Sequence, residues 1–188
     1  MADAAEPSVT PATFFEQLLP AGFEADKATN PNPEDFALQY HVKGEGGGDW
    51  AVKIEGGKMT VVRADGPAIL TITISATDLV DALLGRNGAA PSLVLPRPRR
   101  PGQSNGPVKA LRGTMALKLT RGADAEPFQL EMMFNNAAAP RTVMTMAIAD
   151  YIAMGEGRMN GQEAFMTGKM RVEGDMAFLM QVGMATAS

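Results

Sequence analysis

The amino-acid sequence predicts an α+β fold, because segments whose apolar residues recur every second position lie between segments that favour short helices. Four alternating segments separated by glycine turns occupy the first half of the chain, which indicates an antiparallel meander. Four more alternating segments and three helical ones follow in the second half. With 188 residues, of which 45% are hydrophobic, the chain is long enough to bury a substantial core.

The N-terminal segment is predicted to be a disordered tail over residues 1–12, followed by one short helix. The tail is acidic and rich in alanine and proline. Thr13 and Glu16 have the spacing of a capping box, in which each side chain binds a backbone N–H group of the first helical turn. Pro20 and Gly22 are expected to end this helix.

Aspartates lie at the starts of three of the four remaining predicted helices, and Asp78, Asp150 and Asp175 are expected to cap them. The predicted strands are 36–42, 50–54, 59–62, 69–74, 111–119, 128–134, 141–147 and 169–173. Of the four predicted helices, one begins at Asp78, one begins near Asp150, and the other two span 163–166 and 175–183.

Residues 87–107 are predicted to be a loop insertion, because closely spaced prolines remove backbone donors and fix φ. Arg97, Arg99 and Arg100 alternate with these prolines. They are expected either to contact phosphate headgroups or a partner enzyme transiently, or simply to be solvated.

The composition excludes several classes of function. The net charge of −4 argues against nucleic-acid binding, which needs a basic surface. The absence of cysteine excludes disulfides, thiolate nucleophiles and cysteine-ligated metals, and the single histidine, His41, excludes a multi-histidine metal site. His41 is expected to be a strand residue that faces solvent. We therefore predict no cofactor, no metal and no catalytic residue. The sequence contains no recognisable signal peptide or membrane-spanning run, so the cytoplasm is the expected compartment.

Part of the chain is predicted to be duplicated. Residues 72–80 align without gaps with residues 144–152, and both copies continue to a Gly-Arg pair. A shorter match relates residues 111–117 to residues 172–178. This repeat predicts one sheet, enlarged by a second strand–helix block around one cavity, rather than two domains, because neither copy alone has room for a core.

The C-terminal motifs resemble a known family. Residues 157–160 (Gly-Arg-Met-Asn), 163–166 (Glu-Ala-Phe-Met) and 168–176 (Gly-Lys-Met-Arg-Val-Glu-Gly-Asp-Met) resemble the closing segment of sterol carrier protein 2 domains. Upstream, residues 36–38, 49–52, 57–61 and 71–79 resemble the first four strands of that family and the helix that follows them.

The resemblance implies a single lipid-binding domain over residues 13–188. Its fold would be a mostly antiparallel sheet covered by helices on one face, with a tunnel between the two layers. Its ligands would be sterols, fatty acids, acyl-CoA or other lipids such as isoprenoids, bound and transferred without catalysis.

The methionines support such a cavity, because 11 of the 14 lie between residues 132 and 184 and methionine adapts to different apolar guests. An ordinary hydrophobic core would explain them as well. The predicted ligand-binding residues are Phe128, Met132, Phe134, Met144, Met146, Met154, Phe165, Met166, Met170, Met176, Phe178 and Met180.

Two other functions stay open from the sequence. A small-cavity isomerase or cyclase would use one buried carboxylate from Asp78, Asp81, Asp150, Glu156, Glu163 or Asp175, because burial alone raises the pKa of a carboxyl group. An accessory scaffold would present lipid intermediates to biosynthetic enzymes.

Overall fold

The computed structural model describes residues 9–28, 33–95, 104–122 and 125–187. Most of the predicted tail, as well as Arg97, Arg99 and Arg100, lies outside these residues. The strands are β1 (Phe36–Lys43), β2 (Gly48–Glu55), β3 (Lys58–Val62), β4 (Leu70–Ser75), β5 (Gly113–Thr120), β6 (Phe128–Phe134), β7 (Arg141–Ala147) and β8 (Met170–Gly174). The helices are α1 (Pro11–Thr13), α2 (Leu19–Asp26), α3 (Ala76–Leu84), α4 (Gly106–Ala110), α5 (Ile148–Gly155), α6 (Gly161–Met166) and α7 (Met176–Ala187).

All eight strands belong to one sheet with the order β3-β2-β1-β4-β6-β5-β7-β8. Five of the seven neighbouring pairs are antiparallel, whereas β1–β4 and β5–β7 are parallel. The predicted α+β class with a mostly antiparallel sheet is confirmed, and the strands form one sheet. Within the described ranges, no helix combines the length and the apolarity that a bilayer crossing requires.

The sheet has an apolar inner face and a polar outer face. Directly opposed residues of neighbouring strands point to the same side, so the alternation along each strand sorts apolar and polar side chains onto opposite faces. Tyr40 lies opposite Trp50 and Ile72, and all three are buried on the inner face. The next residue along β1 is His41, which lies opposite Asp49 on the outer face. The recurrence of apolar residues at every second position predicted this division into one polar and one apolar face.

Helices cover the inner face at both ends of the sheet. At one end, the ring of Phe15 contacts the rings of Tyr40 and Trp50, with centroids 4.7 and 4.8 Å away. At the other end, Phe178 of α7 meets Phe134 of β6 edge to face at 6.2 Å. The predicted covering of one face by helices is therefore confirmed.

The N-terminal helix differs from the prediction at both ends. Thr10, not Thr13, caps it, and the chain continues through a π-helical turn (Phe14–Leu18) into α2. Pro20 falls in the first turn of α2, directly after this π-helical turn, so the helix continues past the predicted end. Glu16 does not complete a capping box; its carboxylate accepts a hydrogen bond from the indole of Trp50 at 3.3 Å.

The described parts of the 87–107 segment pack onto the core. Residues Pro91–Leu93 form a 3-10 turn, and Leu93 and Val94 are buried. The carbonyl of Val94 accepts a hydrogen bond from the hydroxyl of Tyr40 at 3.3 Å. Burial raises the pKa of that hydroxyl above its ordinary value. The prolines exclude long regular elements here, yet they do not prevent tertiary packing.

The two copies of the proposed repeat agree only in part. Residues 72–80 and 144–152 both run from a strand into a helix that is followed within two residues by a glycine with positive φ, Gly85 at 66° and Gly157 at 74°. The second match does not hold locally, since residues 113–117 belong to β5 whereas 176–178 begin α7. The duplication itself stays a prediction.

Candidate functional site

The inner face of the second half of the sheet brings six of the predicted site residues together. Their alternation along each strand puts them on one side, where five are buried and Met132 is half-buried. Met146 lies opposite Met170, and Met132 lies opposite Met115, so the methionines form contacts across strands. The six are Phe128, Met132 and Phe134 on β6, Met144 and Met146 on β7, and Met170 on β8.

Helix α7 covers this apolar surface. The carboxylate of Asp175 accepts a hydrogen bond from the backbone N–H group of Phe178 at 2.8 Å and so caps the helix as predicted. Phe178 is 1% exposed, and Val182 and Ala185 are also buried, at positions four and seven residues further along. This i, i+4, i+7 spacing defines the face of α7 that meets the sheet.

Gly113 allows α7 to approach the sheet closely at the start of β5. A Cβ atom added there would lie 2.6 Å from the carbonyl oxygen of Pro140 and 2.8 Å from the ring of Phe178. Its φ of 139° also lies in the region that side-chain-bearing residues rarely adopt. The ring of Phe178 therefore occupies space that only a glycine leaves free.

Four predicted site residues do not lie inside, and this is a correction to their predicted place. Phe165 and Met166 of α6 and Met176 and Met180 of α7 are exposed, with Met180 62% accessible. The helical period explains α7, because residues 176 and 180 project from the side opposite Phe178. Met154 on α5 is half-buried against the core.

Sequence reasoning missed several residues of this site. Leu117 and Leu119 of β5 are fully buried beside the predicted phenylalanines and methionines. Val182 and Ala185 of α7 were also missed. The alternation of β5 and the 3.6-residue period of α7 both point to these positions, but the prediction followed residue type and selected methionine.

A groove opens between α4 and α7 beside the buried surface. It has a volume of about 270 Å³ and is lined by Pro107, Ala110, Leu111, Gln181, Met184 and Ala185. Ligand sites for drug-sized molecules occupy about 300–1,000 Å³, so this groove has room for part of such a molecule. This groove is open to solvent, and Phe178 fills the space between α7 and the sheet.

Two of the acid–base candidates are buried, and both are engaged by other groups. Arg121 donates to Asp78 at 2.6 Å and to Asp81 at 3.2 Å, and its guanidinium lies 5.4 Å from the centre of the Phe128 ring. The side chain of Asn87 donates to Asp81 at 2.9 Å. Asp78 therefore does not cap α3 as predicted. The hydroxyl of Ser75 caps this helix instead.

The remaining candidates lie nearer the surface. Lys169 pairs with Asp150 at 3.1 Å, Arg158 pairs with Glu156, and Glu163 is exposed on α6. Asp175 caps α7. In this arrangement each buried carboxylate accepts several N–H groups, which suits a structural ion-pair network better than proton transfer.

The chain is similar to one family model and to several solved structures, among them two alkylsulfatases and a sterol carrier protein domain. The model of the SCP-2 sterol transfer family matches residues 94–186. No curated protein matches the chain. A double mutant of the sec-alkyl sulfatase PisA1 shares 13% identity at a TM-score of 0.32, over 93% of this chain and 16% of that one. The stereoselective inverting sec-alkylsulfatase Pisa1 from Pseudomonas sp. shares 15% identity at a TM-score of 0.28, over 95% and 16%.

The third structure is the solution structure of the sterol carrier protein domain 2 of Helicoverpa armigera. It shares 15% identity at a TM-score of 0.28, over 99% of this chain and 93% of that one. This chain thus spans 16% of the length of the two sulfatase structures and most of the length of the carrier domain.

The segment that the family model matches contains α4 to α7 and β5 to β8. These are the elements that build the inner apolar surface, its α7 cover and the groove. Through residues 94–186, this chain belongs to the SCP-2 sterol transfer family.

Proposed function

We propose that this protein binds an apolar lipid non-covalently between α7 and the inner face of β5–β8, and transfers it between sites. The observation that carries the proposal is an apolar sheet face, in the segment that belongs to the family, covered by one helix that bears no charged residue. Sterols, fatty acids, acyl-CoA and isoprenoids are the ligand classes we consider. The predicted inner residues Phe128, Met132, Phe134, Met144, Met146, Met170 and Phe178 would form the walls.

Helix α7 is the wall that we expect to move. Its fully buried side chains are Phe178, Val182 and Ala185, and Leu179 is half-buried against the core, whereas Met176, Met180 and Met184 are exposed. An element held by few buried apolar contacts opens at a low free-energy cost. The groove between α4 and α7 adjoins Ala185, so an alkyl chain would enter there and replace Phe178 against the sheet.

Methionine suits walls that repack around such a guest. Its unbranched side chain has three rotatable bonds and a polarizable sulfur, so it fills irregular space at small cost. The exposed Met180 and Met184 lie on α7, and Met184 also lines the groove. In the open state, these side chains would supply apolar contacts that the closed state leaves in water.

The energetics fit a carrier rather than a tight receptor. Burying an alkyl chain of about twelve methylenes contributes about 10 kcal/mol, and association costs at least about 4 kcal/mol. The remaining free energy of about 6 kcal/mol corresponds to a dissociation constant between micromolar and millimolar, before the cost of opening α7. A carrier must release its ligand, so affinity in this range is useful.

The test is lipid binding by the tag-free protein, measured by native mass spectrometry after mild purification and by titration with a fluorescent long-chain fatty acid. Ala110→Trp fills the groove from an exposed position on α4. Ala177→Trp places the same bulk at an exposed position of α7 that does not line the groove. Ala110→Trp is expected to weaken binding about tenfold or more, the effect of losing about 1.4 kcal/mol, and Ala177→Trp to leave it unchanged.

Two results would contradict the proposal. One is wild-type protein that neither retains a lipid nor binds the fatty acid with saturation. The other is fatty-acid binding that Ala110→Trp and Ala177→Trp affect equally, because the groove would then play no part in entry.

A further inference from the structure

A second group of chemically active side chains lies on the outer face of the sheet, which is the face away from α7. His41 of β1 and Asp49 of β2 are directly opposed in the antiparallel register. Asp65 comes from the segment that follows β3. The Nδ1 atom of His41 lies 2.6 Å from Oδ1 of Asp49 and 3.6 Å from Oδ1 of Asp65. One ligand atom from each residue lies within 4.8 Å of the other two.

A buried glutamine holds Asp65 over the sheet. Gln39 lies two residues before the histidine on the same face of β1 and is 2% exposed. Its amide nitrogen donates to the carbonyl of Ala64 at 3.4 Å, and its amide oxygen accepts from the N–H group of Gly66 at 2.9 Å. The segment is thus fixed on both sides of Asp65. Gly66 also lies close against Ala51, so that an added Cβ would approach its methyl group to 3.2 Å.

We propose that His41, Asp49 and Asp65 form a site for one divalent first-row cation of the Zn²⁺ class. Ligand atoms held about 2.0–2.2 Å from a tetrahedral zinc ion lie about 3.3–3.6 Å from one another. The distance of 3.6 Å between Nδ1 of His41 and Oδ1 of Asp65 already fits this value. The 2.6 Å contact between His41 and Asp49 has to lengthen by about 0.7–1 Å.

The exposure of these side chains permits that adjustment. The side chains of His41, Asp49 and Asp65 are 38%, 50% and 76% accessible, so rotation about their χ angles meets few neighbours. The strand pairing and the glutamine fix the three backbones, which means that only side-chain torsions must change. Water would complete the coordination shell on the solvent side.

The donor set selects the class of ion. Mg²⁺ and Ca²⁺ prefer shells made of oxygen atoms, whereas an imidazole nitrogen together with carboxylates suits zinc and its first-row neighbours. Two carboxylates and a neutral imidazole present a charge of −2 to the ion. The nearby cation Arg63 is engaged elsewhere, because its guanidinium lies 5.3 Å from the centre of the Trp50 ring and donates to the carbonyl of Gly47.

A bound ion would join β1, β2 and the segment around Asp65 into one rigid unit. Because the site faces away from the inner apolar surface, this inference does not depend on the proposed lipid function. The ion would stabilise the folded state, since the three ligands converge only there.

The experiment uses tag-free protein and ZnCl₂, with MgCl₂ as the comparison ion, in isothermal titration calorimetry and thermal unfolding. The protein has one histidine, so the imidazole signals in a ¹H–¹⁵N spectrum belong to His41 alone. We expect one zinc ion per chain, a rise in the unfolding temperature, and a shift centred on the Nδ1 resonance. MgCl₂ is expected to produce none of these effects.

Three substitutions at exposed or half-exposed positions complete the test. His41→Gln is expected to abolish zinc binding, and Asp65→Asn to weaken it about tenfold or more, the effect of losing about 1.4 kcal/mol of binding free energy. Glu163→Gln removes an exposed carboxylate on α6 and is expected to leave zinc binding unchanged. Circular dichroism verifies that each variant is folded. The proposal is overturned if the wild type shows no saturable binding, if both site variants bind as the wild type does, or if zinc shifts Nε2 rather than Nδ1.

Discussion

Truncating Phe178 to alanine tests whether this ring holds α7 against the sheet. The side chain is 1% exposed, and it contacts the ring of Phe134 with centroids 6.2 Å apart. An aromatic side chain buries about 150–250 Å², which at about 25 cal/mol per Å² contributes about 4–6 kcal/mol. Measured Phe→Ala substitutions in protein cores cost about 3–5 kcal/mol. We expect Phe178→Ala to lower the free energy of unfolding by an amount in this range.

The loss should appear in the local opening of α7 as well as in global unfolding. Native-state amide hydrogen exchange measures both, with Leu179 and Val182 reporting on α7 and Leu117 and Leu119 reporting on the core strand β5. In the wild type, the α7 amides should exchange faster than those of β5, because the helix opens without the sheet. In Phe178→Ala, exchange on α7 should accelerate by about 10²- to 10³-fold, the factor that corresponds to about 3–4 kcal/mol.

Met180→Ala provides the matched control on the same helix, because this side chain is 62% exposed. Met180→Ala should change the free energies of α7 opening and of global unfolding by no more than about 0.5 kcal/mol. The reasoning is refuted if wild-type α7 and β5 amides exchange at one common rate, since α7 would then open only when the whole domain unfolds. It is also refuted if Phe178→Ala leaves α7 exchange unchanged. If lipid entry requires the opening, the same variant should bind a fluorescent fatty acid with a faster association rate.

Three further substitutions test the packing around the site. Tyr40→Phe should cost about 1 kcal/mol of unfolding free energy at pH 7. Because burial raises the pKa of the Tyr40 hydroxyl, the unfolded chain loses this proton first above about pH 10. In urea titrations, wild-type stability should therefore fall there by up to about 1.4 kcal/mol per pH unit more steeply than that of the variant. Arg121→Met should cost about 3–5 kcal/mol in urea, because Asp78 and Asp81 stay buried without their partner, and a loss below about 1 kcal/mol would contradict this. Gly113→Ala should cost about 1–3 kcal/mol by forcing α7 outward, and an unchanged unfolding temperature would show that the helix does not rest on that glycine.

The strands were predictable because their signal is local. The alternation of apolar and polar residues at 36–42 and 128–134 reports which face each side chain occupies, and β1 and β6 follow it. The start of α7 was also predictable, since Asp175 follows a glycine and its carboxylate caps the helix.

The errors arose where a local motif competed with a tertiary contact. Glu16 has capping-box spacing, but it serves the indole of Trp50, which is 34 positions away in the chain. Asp78 resembles a cap, yet it binds Arg121, which lies 43 positions away. A pattern within four residues does not contain these partners.

The sequence by itself determined the element types, the two-faced sheet and the family, because each depends on residue spacing along the chain. Tertiary structure decided which residues of the methionine-rich half lie inside: on α7 the helical period buries Phe178 and leaves Met180 in water. It also brought Asp65 to His41 across an intervening hairpin. Spacing defines a face, but only the packing of one element against another determines what that face meets.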